Sequence, residues 1–99
     1  MRPLHWASLD KRRPVLVLTR AIMVGRMSTV TVAPITTTVY SIATELDVGP
    51  ENGLEQRCAI KCDQITSIPI DRLHDQCGWL LESQELALHE AIQAAFDLV

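Results

Sequence analysis

The stretch that decides the fold is RRPVLVLTRAIMVGRMSTVTVAPIT, residues 12–36, because it holds two segments with the composition of β-strands. Val15–Thr19 is a continuous apolar run of strand length, which is typical of a strand covered on both faces. Ser28–Ile35 alternates Thr and Ala with Val, and this period of two predicts a second strand. Pro14 can begin the first strand at little cost, whereas Pro34 predicts a sheet edge or a bulge for the second.

The rest of the chain predicts further short strands and one helix. From Ser83, which can cap a helix N-terminus, apolar residues recur at helical spacing through Leu88 and Ala91 to Val99. Strand character is found in Leu4–Leu9, Cys58–Lys61 and Ile65–Ile70, with a short apolar run at Trp79–Leu81, a strand or extended loop over residues 39–46, and the strongest turn signal at Asp47–Gly53. Residues 1–99 are thus expected to form a single, mainly β domain: a barrel-like sheet closed by a C-terminal α-helix.

Charge is distributed unevenly along the chain. Residues 1–40 contain six basic residues and one acidic residue, whereas residues 41–99 contain three basic and eleven acidic residues. Such a division favours a bipolar surface whose positive part can meet an anionic partner, although ordinary solvated charge explains the same counts.

Several classes of protein are disfavoured by composition. Residues 1–13 lack the apolar core of a signal peptide. The longest uncharged run, Met27–Thr44, contains eight Ser or Thr residues and a Pro, so we expect no membrane span and a cytoplasmic protein. The three cysteines, Cys58, Cys62 and Cys77, have no CxxC spacing and are expected to be reduced thiols packed as small hydrophobes, with no metal site.

The chemistry that survives is one that uses Arg, Lys, Thr and Ser. The chain has no phosphate-binding glycine loop, HExxH or GxSxG motif, which disfavours catalysis by a metal or an organic cofactor. RNA cleavage fits this inventory because the substrate's own 2′-OH is the nucleophile. If the strand that begins at Pro14 pairs antiparallel with the strand that ends at Ile35, Arg13 and Thr36 lie together.

Three ordered pieces of sequence carry a family resemblance: RPVLVL at residues 13–18, VAPIT at residues 32–36, and CDQI followed by TSIP at residues 62–69. Together with the C-terminal helix they resemble the MazF/PemK toxins of bacterial type II toxin–antitoxin systems, in particular actinobacterial members. The likeness runs from the first strand to the last helix. It implies the SH3-like barrel of the MazF/PemK/CcdB toxins, a homodimer, metal-independent endoribonuclease activity on single-stranded RNA, and inhibition by a MazE-like antitoxin with an acidic tail.

The resemblance also implies roles for individual residues. The family's catalytic arginine and threonine fall on Arg13 and Thr36, although Thr37 could replace the latter. An arginine is a poor base at neutral pH because its pKa exceeds about 12, so an electrostatic role is favoured for Arg13. Contacts to RNA are expected from Lys11, Arg12, Arg20, Arg26, Thr37 and Gln64.

One departure from the family concerns the loop before Arg13. Many relatives carry a longer, GSEQ-like loop with an assisting serine; Leu9–Arg13 replaces that loop here, so the serine has no counterpart. The shorter loop should leave the cleft more open and could weaken activity. Two alternatives stay open. The short loop leaves open a toxin that mainly binds RNA or antitoxin. The shared fold of gyrase poisons leaves open a toxin that acts by protein contact. Trp6, Tyr40 and Trp79 could stack on bases, but core or dimer packing is the more ordinary use of the tryptophans.

Overall fold

One curved, wholly antiparallel sheet and one helix make up the computed structural model, which describes residues 1–98. The sheet order is β4-β5-β3-β2-β1-β7, and β6 pairs with β3 beside β5. The mainly β fold with a C-terminal helix is therefore confirmed. The elements are β1 (Arg2–Ser8), β2 (Arg12–Val17), β3 (Thr29–Thr36), β4 (Glu45–Val48), β5 (Cys58–Lys61), β6 (Thr66–Pro69), β7 (Leu73–Leu80) and α1 (Glu85–Phe96).

The strand β2 is covered on both faces, as its apolar run predicts. Leu16 packs into one buried cluster with residues of β3, β5 and α1, whereas Val15 and Val17 pack into a second cluster with β6. Burial on both sides removes most of the apolar surface of this strand from water. The buried hairpin of β2 and β3 thus supports the residues at the start of β2 and at the end of β3.

Pro34 lies in the centre of the sheet, so the edge predicted for it is wrong. Its strand, β3, pairs with β2 on one side at residues 32–34. On the other side β6 pairs with residues 29–32 and β5 with residues 35 and 36, so neither strand pairs with Pro34. A proline is tolerated there because the gap between two partner strands asks for no N–H donor.

Two further segments differ from the sequence-based expectation. β7 covers Leu73–Leu80, whereas the sequence shows only the apolar run at its end. The rest of the strand is hard to recognise because its exposed face is polar and bulges interrupt its pairing with β1. Asp47 and Val48 belong to β4 rather than to a turn, and the turn itself is the 3₁₀ segment Pro50–Asn52. Both segments are defined by strand pairing, which local composition does not report.

The helix α1 begins without a cap from Ser83. Instead, Gln84 accepts a hydrogen bond from the Leu81 N–H at 2.9 Å and another from the buried Asn52 side chain at 2.7 Å. Asn52 also donates to the carbonyl of Trp79 at 2.9 Å. The 3₁₀ turn, β7 and the start of the helix are thus joined by two amides. Val99 lies outside the described residues.

Candidate active site at the ends of two strands

The start of β2 and the end of β3 form a cleft around Arg13 and Thr36. The observed register pairs Val15 with Pro34, and its continuation by two residues leads to Arg13 and Thr36, which both line the cleft. The antiparallel pairing proposed from the sequence is therefore confirmed. The cleft has a volume of about 290 Å³. Its walls are formed by Leu9, Asp10, Arg13, Pro34, Thr36, Gln64 and Thr66.

Arg13 is held by a two-point ion pair with Asp10. Its Nε and Nη2 donate to the two carboxylate oxygens of Asp10 at 2.9 and 3.0 Å. These hydrogen bonds lower the pKa of Asp10 to about 2 and raise the pKa of Arg13 above its already high value. Both groups are therefore ionised at neutral pH. The carboxylate uses the Nε–Nη2 edge of the guanidinium, and among the hydrogen bonds of residues 1–98 none involves Nη1.

Thr36 is positioned by the backbone two residues later. Its hydroxyl oxygen accepts from the N–H of Thr38 at 3.2 Å, and its hydroxyl can donate to the carbonyl of Thr38 at the same distance. These long bonds close a local turn at the end of β3. Thr36 lines the same cleft as Arg13, and its hydroxyl can exchange a weak backbone acceptor for a ligand oxygen.

A buried ion pair lies beside the cleft. It belongs to an adjoining depression that is lined by Tyr40, Lys61 and Gln64 as well as by Arg13 and Thr36. The ammonium of Lys61 binds Glu45, and the two side chains are 7% and 3% exposed. The second oxygen of Glu45 accepts the backbone N–H groups of Tyr40 and Ser41 at 2.9 and 3.0 Å. Lys61 also lies 4.3 Å from the centre of the Tyr40 ring. Glu45 thus ties the loop after β3 to the sheet.

Replacing Glu45 by glutamine should destabilise the protein by about 3 kcal/mol, because it leaves the Lys61 charge buried without a counter-charge. Burial favours the neutral acid, but the hydrogen bonds from Lys61, Tyr40 and Ser41 outweigh it and hold the pKa of Glu45 below its ordinary value of 4.5. The stabilisation is therefore present above pH 4.5 and is lost as the pH falls through the folded-state value.

Urea denaturation at several pH values measures this effect. The difference in free energy of unfolding between wild type and Glu45→Gln should shrink as the pH falls through the folded-state pKa of Glu45. Asp47→Asn is the matched control on the same strand, because the Asp47–Arg57 pair is 63% exposed on both sides and should contribute less than about 1 kcal/mol. Equal losses in the two variants would contradict the role assigned to Glu45.

The residues expected to contact RNA divide into two groups. Lys11, Arg12 and Thr37 line a depression next to Arg13 and Thr36, and Gln64 lines the cleft itself. Arg20 and Arg26 are exposed on the loop between β2 and β3, at the other end of the hairpin. At roughly 3.3 Å per residue, Val17 at the end of β2 already lies about 13 Å from Arg13, and the loop begins beyond it. The structure therefore does not bring them to the cleft of the same chain.

Sequence reasoning missed two residues of the site, Asp10 and Lys61, and considered Tyr40 only as a residue that could stack on bases. The signal for Asp10 is its spacing of three residues from Arg13, which allows the two side chains to form an ion pair. Lys61 was hidden in an apolar strand, and only the three-dimensional pairing of β4 with β5 shows that it meets Glu45.

Other sequence-based expectations concern metals, thiols and membranes. Cys58 and Cys62 are buried and Cys77 is half-buried, and all three are free thiols, as predicted. In the part of the chain that the structure describes, no group of three or more His, Cys, Asp or Glu side chains could hold a metal ion. Within residues 1–98, α1 falls short of the length and apolarity needed to cross a membrane.

Comparison with known proteins agrees with the fold. The family model for PemK-like, MazF-like toxins of type II toxin–antitoxin systems matches residues 5–96. The chain is 55% identical over 98 residues to endoribonuclease MazF3 of Mycobacterium tuberculosis, covering 99% of this chain and 95% of that protein. The solved structure of the Mycobacterium tuberculosis toxin MazF-mt6 superposes with a TM-score of 0.96 at 54% identity and 99% coverage of both chains.

A more distant structure shares the fold alone. It is a mycobacterial endoribonuclease in complex with its cognate antitoxin, with a TM-score of 0.85 at 21% identity, covering 98% of this chain and 93% of that one. The family resemblance and the toxin fold expected from the sequence are thereby confirmed. This chain belongs to the family of PemK-like, MazF-like toxins of type II toxin–antitoxin systems.

Proposed function

We propose that this protein is the toxin of a type II toxin–antitoxin pair and an endoribonuclease that cleaves single-stranded RNA at the Arg13–Thr36 cleft. One observation carries the proposal. A guanidinium that is ionised at neutral pH stands opposite a threonine hydroxyl in an open cleft rimmed by Lys11 and Arg12. This arrangement offers charge and hydrogen-bond donors to a phosphodiester. The 55% identical relative is named an endoribonuclease, which supports the same assignment.

The proposed reaction is an in-line attack of a 2′-OH on the adjacent phosphorus. The 2′-oxygen forms a bond to phosphorus, the bond to the 5′-oxygen breaks, and the proton lost from the 2′-OH is balanced by one gained at the leaving 5′-oxygen. The products are a 2′,3′-cyclic phosphate and a 5′-hydroxyl. No metal is required by this scheme, because the nucleophile belongs to the substrate and Arg13 supplies the positive charge.

Each site residue has a distinct task in this mechanism. Arg13 stays protonated, because its ion pair with Asp10 raises its pKa, so it stabilises charge on the phosphoryl oxygens rather than acting as the base. Its Nη1 is the donor that Asp10 leaves available for the phosphate. Thr36 donates one further hydrogen bond to a phosphoryl oxygen. Asp10 orients the guanidinium, and Gln64 and Thr37 extend the polar contacts on either side.

The proposed partners follow from the same charges. An antitoxin of the MazE type would cover the cleft with an acidic segment, because the rim of Lys11 and Arg12 that attracts phosphates also attracts carboxylates. We further propose a homodimer that acts in the cytoplasm, where its RNA and its antitoxin are found. Arg20 and Arg26 contact RNA in this proposal only if the dimer brings the loop between β2 and β3 of one protomer to the cleft of its partner.

One observation favours a second candidate, a toxin that acts by contact with another protein. Such a toxin needs an exposed apolar end on the C-terminal helix, and Phe96 and Leu98 there are 50% and 58% exposed. The nuclease proposal is preferred because Arg13, Thr36 and their supporting ion pairs have no role in the protein-contact alternative.

The deciding experiment is incubation of the purified protein with single-stranded RNA of mixed sequence in EDTA, followed by analysis of the ends. We expect cyclic-phosphate and 5′-hydroxyl ends with wild type, and their loss in Arg13→Ala and Thr36→Ala. Thr36→Ser keeps the hydroxyl and should retain most of the activity. RNA that stays intact at high protein concentration would contradict the proposal and favour the protein-contact alternative.

The salt dependence of RNA binding should separate the two groups of basic residues. Each phosphate contact in a single strand adds about 0.7 to the slope of log affinity against log salt. Lys11→Ala should therefore lower the slope by roughly that amount, measured by fluorescence anisotropy with a non-cleavable 2′-O-methyl RNA. Arg20→Ala should leave the slope unchanged if RNA is bound by the cleft of one chain, and an equal decrease would show that the loop contacts RNA as well.

A further inference from the structure

A second, larger cavity of about 360 Å³ lies beyond the rim of the cleft. Its walls are largely apolar, and two strands supply the neighbouring pair Trp6 and Pro14. The remaining lining comes from the end of β3, the segment after the 3₁₀ turn, and β7, namely Thr37, Gly53, Leu54, Glu55, Gln56, Cys58 and Cys77. The volume lies in the range of small-molecule sites.

One wall of this cavity depends on two glycines that let backbone segments pack closely. The 3₁₀ turn approaches β7 so closely that a Cβ on Gly78 would lie 1.9 Å from the carbonyl oxygen of Asn52. Gly53 has a φ of +92°, and a Cβ there would lie 2.7 Å from the carbonyl oxygen of Cys77. Two glycines therefore allow the backbone to close one side of the cavity while Trp6 and Pro14 form the other.

The cavity adjoins the cleft through shared lining residues. The depression that contains Lys11, Arg13 and Thr36 also contains Pro14, Thr37 and Cys58, which line the larger cavity. Arg12 lies over the Trp6 ring at 4.9 Å from its centre, so the rim between the two spaces is positively charged. Any chain whose phosphate is bound at Arg13 can pass over this rim into the apolar space.

On the basis of the proposed function, we propose that this cavity is a subsite for one nucleobase of the RNA, next to the nucleotide whose phosphate lies at Arg13. A flat apolar wall with an indole suits the face of a base, and Arg12 and Lys11 suit the phosphate beside it. Glu55 and Gln56 supply the polar groups that can hydrogen-bond to the edge of a base. The observation that carries the proposal is an apolar wall beside a cationic rim, in a cavity that shares lining residues with the depression next to Arg13.

Tryptophan fluorescence tests the subsite directly, because the chain has only two tryptophans. Trp79→Phe leaves Trp6 as the sole reporter, and Trp6→Phe leaves Trp79, which is 43% exposed on β7 and does not line the cavity. The probe is the RNA that wild type cleaves best from the mixed pool, prepared with 2′-O-methyl groups throughout. Binding should quench Trp6 and leave Trp79 unchanged. Binding by anisotropy without a Trp6 signal, or with equal signals from both residues, would overturn the proposal.

Steady-state cleavage gives a second readout. Trp6→Leu should raise KM about tenfold with little change in kcat, the order expected for the loss of one base–aromatic stack, and Trp6→Phe should recover most of it. Trp79→Leu is the matched control and should leave KM unchanged, and circular dichroism melts verify that each variant is folded. Unchanged KM in Trp6→Leu would overturn the subsite.

The failure of the subsite can be distinguished from failure of the nuclease assignment. If wild type cleaves no RNA, the proposed function fails, and the 2′-O-methyl pool of mixed sequence becomes the probe for the fluorescence experiment. If wild type cleaves RNA while Trp6 is silent and KM is insensitive to it, the subsite alone fails.

Discussion

Arg13→Ala is expected to lower the rate of RNA cleavage by at least about 100-fold, because it removes the charged donor that faces the phosphoryl oxygens. The loss should appear in kcat as well as in kcat/KM, since the charge on the phosphate grows as the transition state forms. Single-turnover cleavage at saturating protein measures this chemical step. Activity within threefold of wild type would contradict the assignment of the cleft.

The lysine variant separates charge from geometry. Arg13→Lys keeps the positive charge but lacks the planar fork that binds both oxygens of Asp10 at one edge and presents Nη1 at another. It should therefore fall between wild type and Arg13→Ala. Asp10→Asn is the companion variant, because it weakens the ion pair while leaving Arg13 in place. A loss of activity in Asp10→Asn that is smaller than in Arg13→Ala would agree with a positioning role for the carboxylate.

Gly78→Ala is expected to destabilise the protein by more than about 3 kcal/mol. The added Cβ would lie 1.9 Å from the carbonyl oxygen of Asn52. That oxygen belongs to the backbone, so no flexible side chain can move aside to relieve the clash. The clash also pushes apart the 3₁₀ turn and β7, where the Asn52 amide joins the turn to Trp79 and Gln84. Urea denaturation followed by far-UV circular dichroism measures the loss.

Gly25→Ala is the matched control for the glycine effect. Gly25 has a positive φ of +85°, which Gly78 lacks, and no atom lies within 4 Å of the position of its missing Cβ. Its replacement should cost only the strain of the left-handed conformation, about 1 kcal/mol. If both variants lose the same stability, close contact at Gly78 is not the reason that glycine is required there.

The amount that could be predicted differs between elements for physical reasons. The strands β2 and β3 and the short strand β5 are readable because burial imposes an apolar pattern on contiguous residues. β7 is obscured because its exposed face is polar and its register with β1 shifts twice. Ser83 was a plausible cap by residue type, but α1 begins without a side-chain cap, and Gln84 accepts from the N–H of Leu81 ahead of the helix.

The site shows the same division. The pairing of Arg13 with Thr36 follows from two strand assignments and the geometry of an antiparallel hairpin, so it was accessible from the sequence. The ion pair of Lys61 with Glu45 and the close approach of Gly53 and Gly78 to their neighbours join segments far apart in the chain. No local pattern reports such contacts, because each residue is ordinary in its own segment.

By itself, the sequence determined the Lys11–Thr38 hairpin, the basic rim and the placement of Arg13 against Thr36, because burial and strand periodicity act on neighbouring residues. Only the tertiary structure decided that Asp10 holds one edge of the guanidinium, that Arg20 and Arg26 lie at the far end of the hairpin, and that Trp6 lines a cavity next to the cleft. These features depend on side-chain direction and on contacts between distant strands, and both are properties of the folded chain.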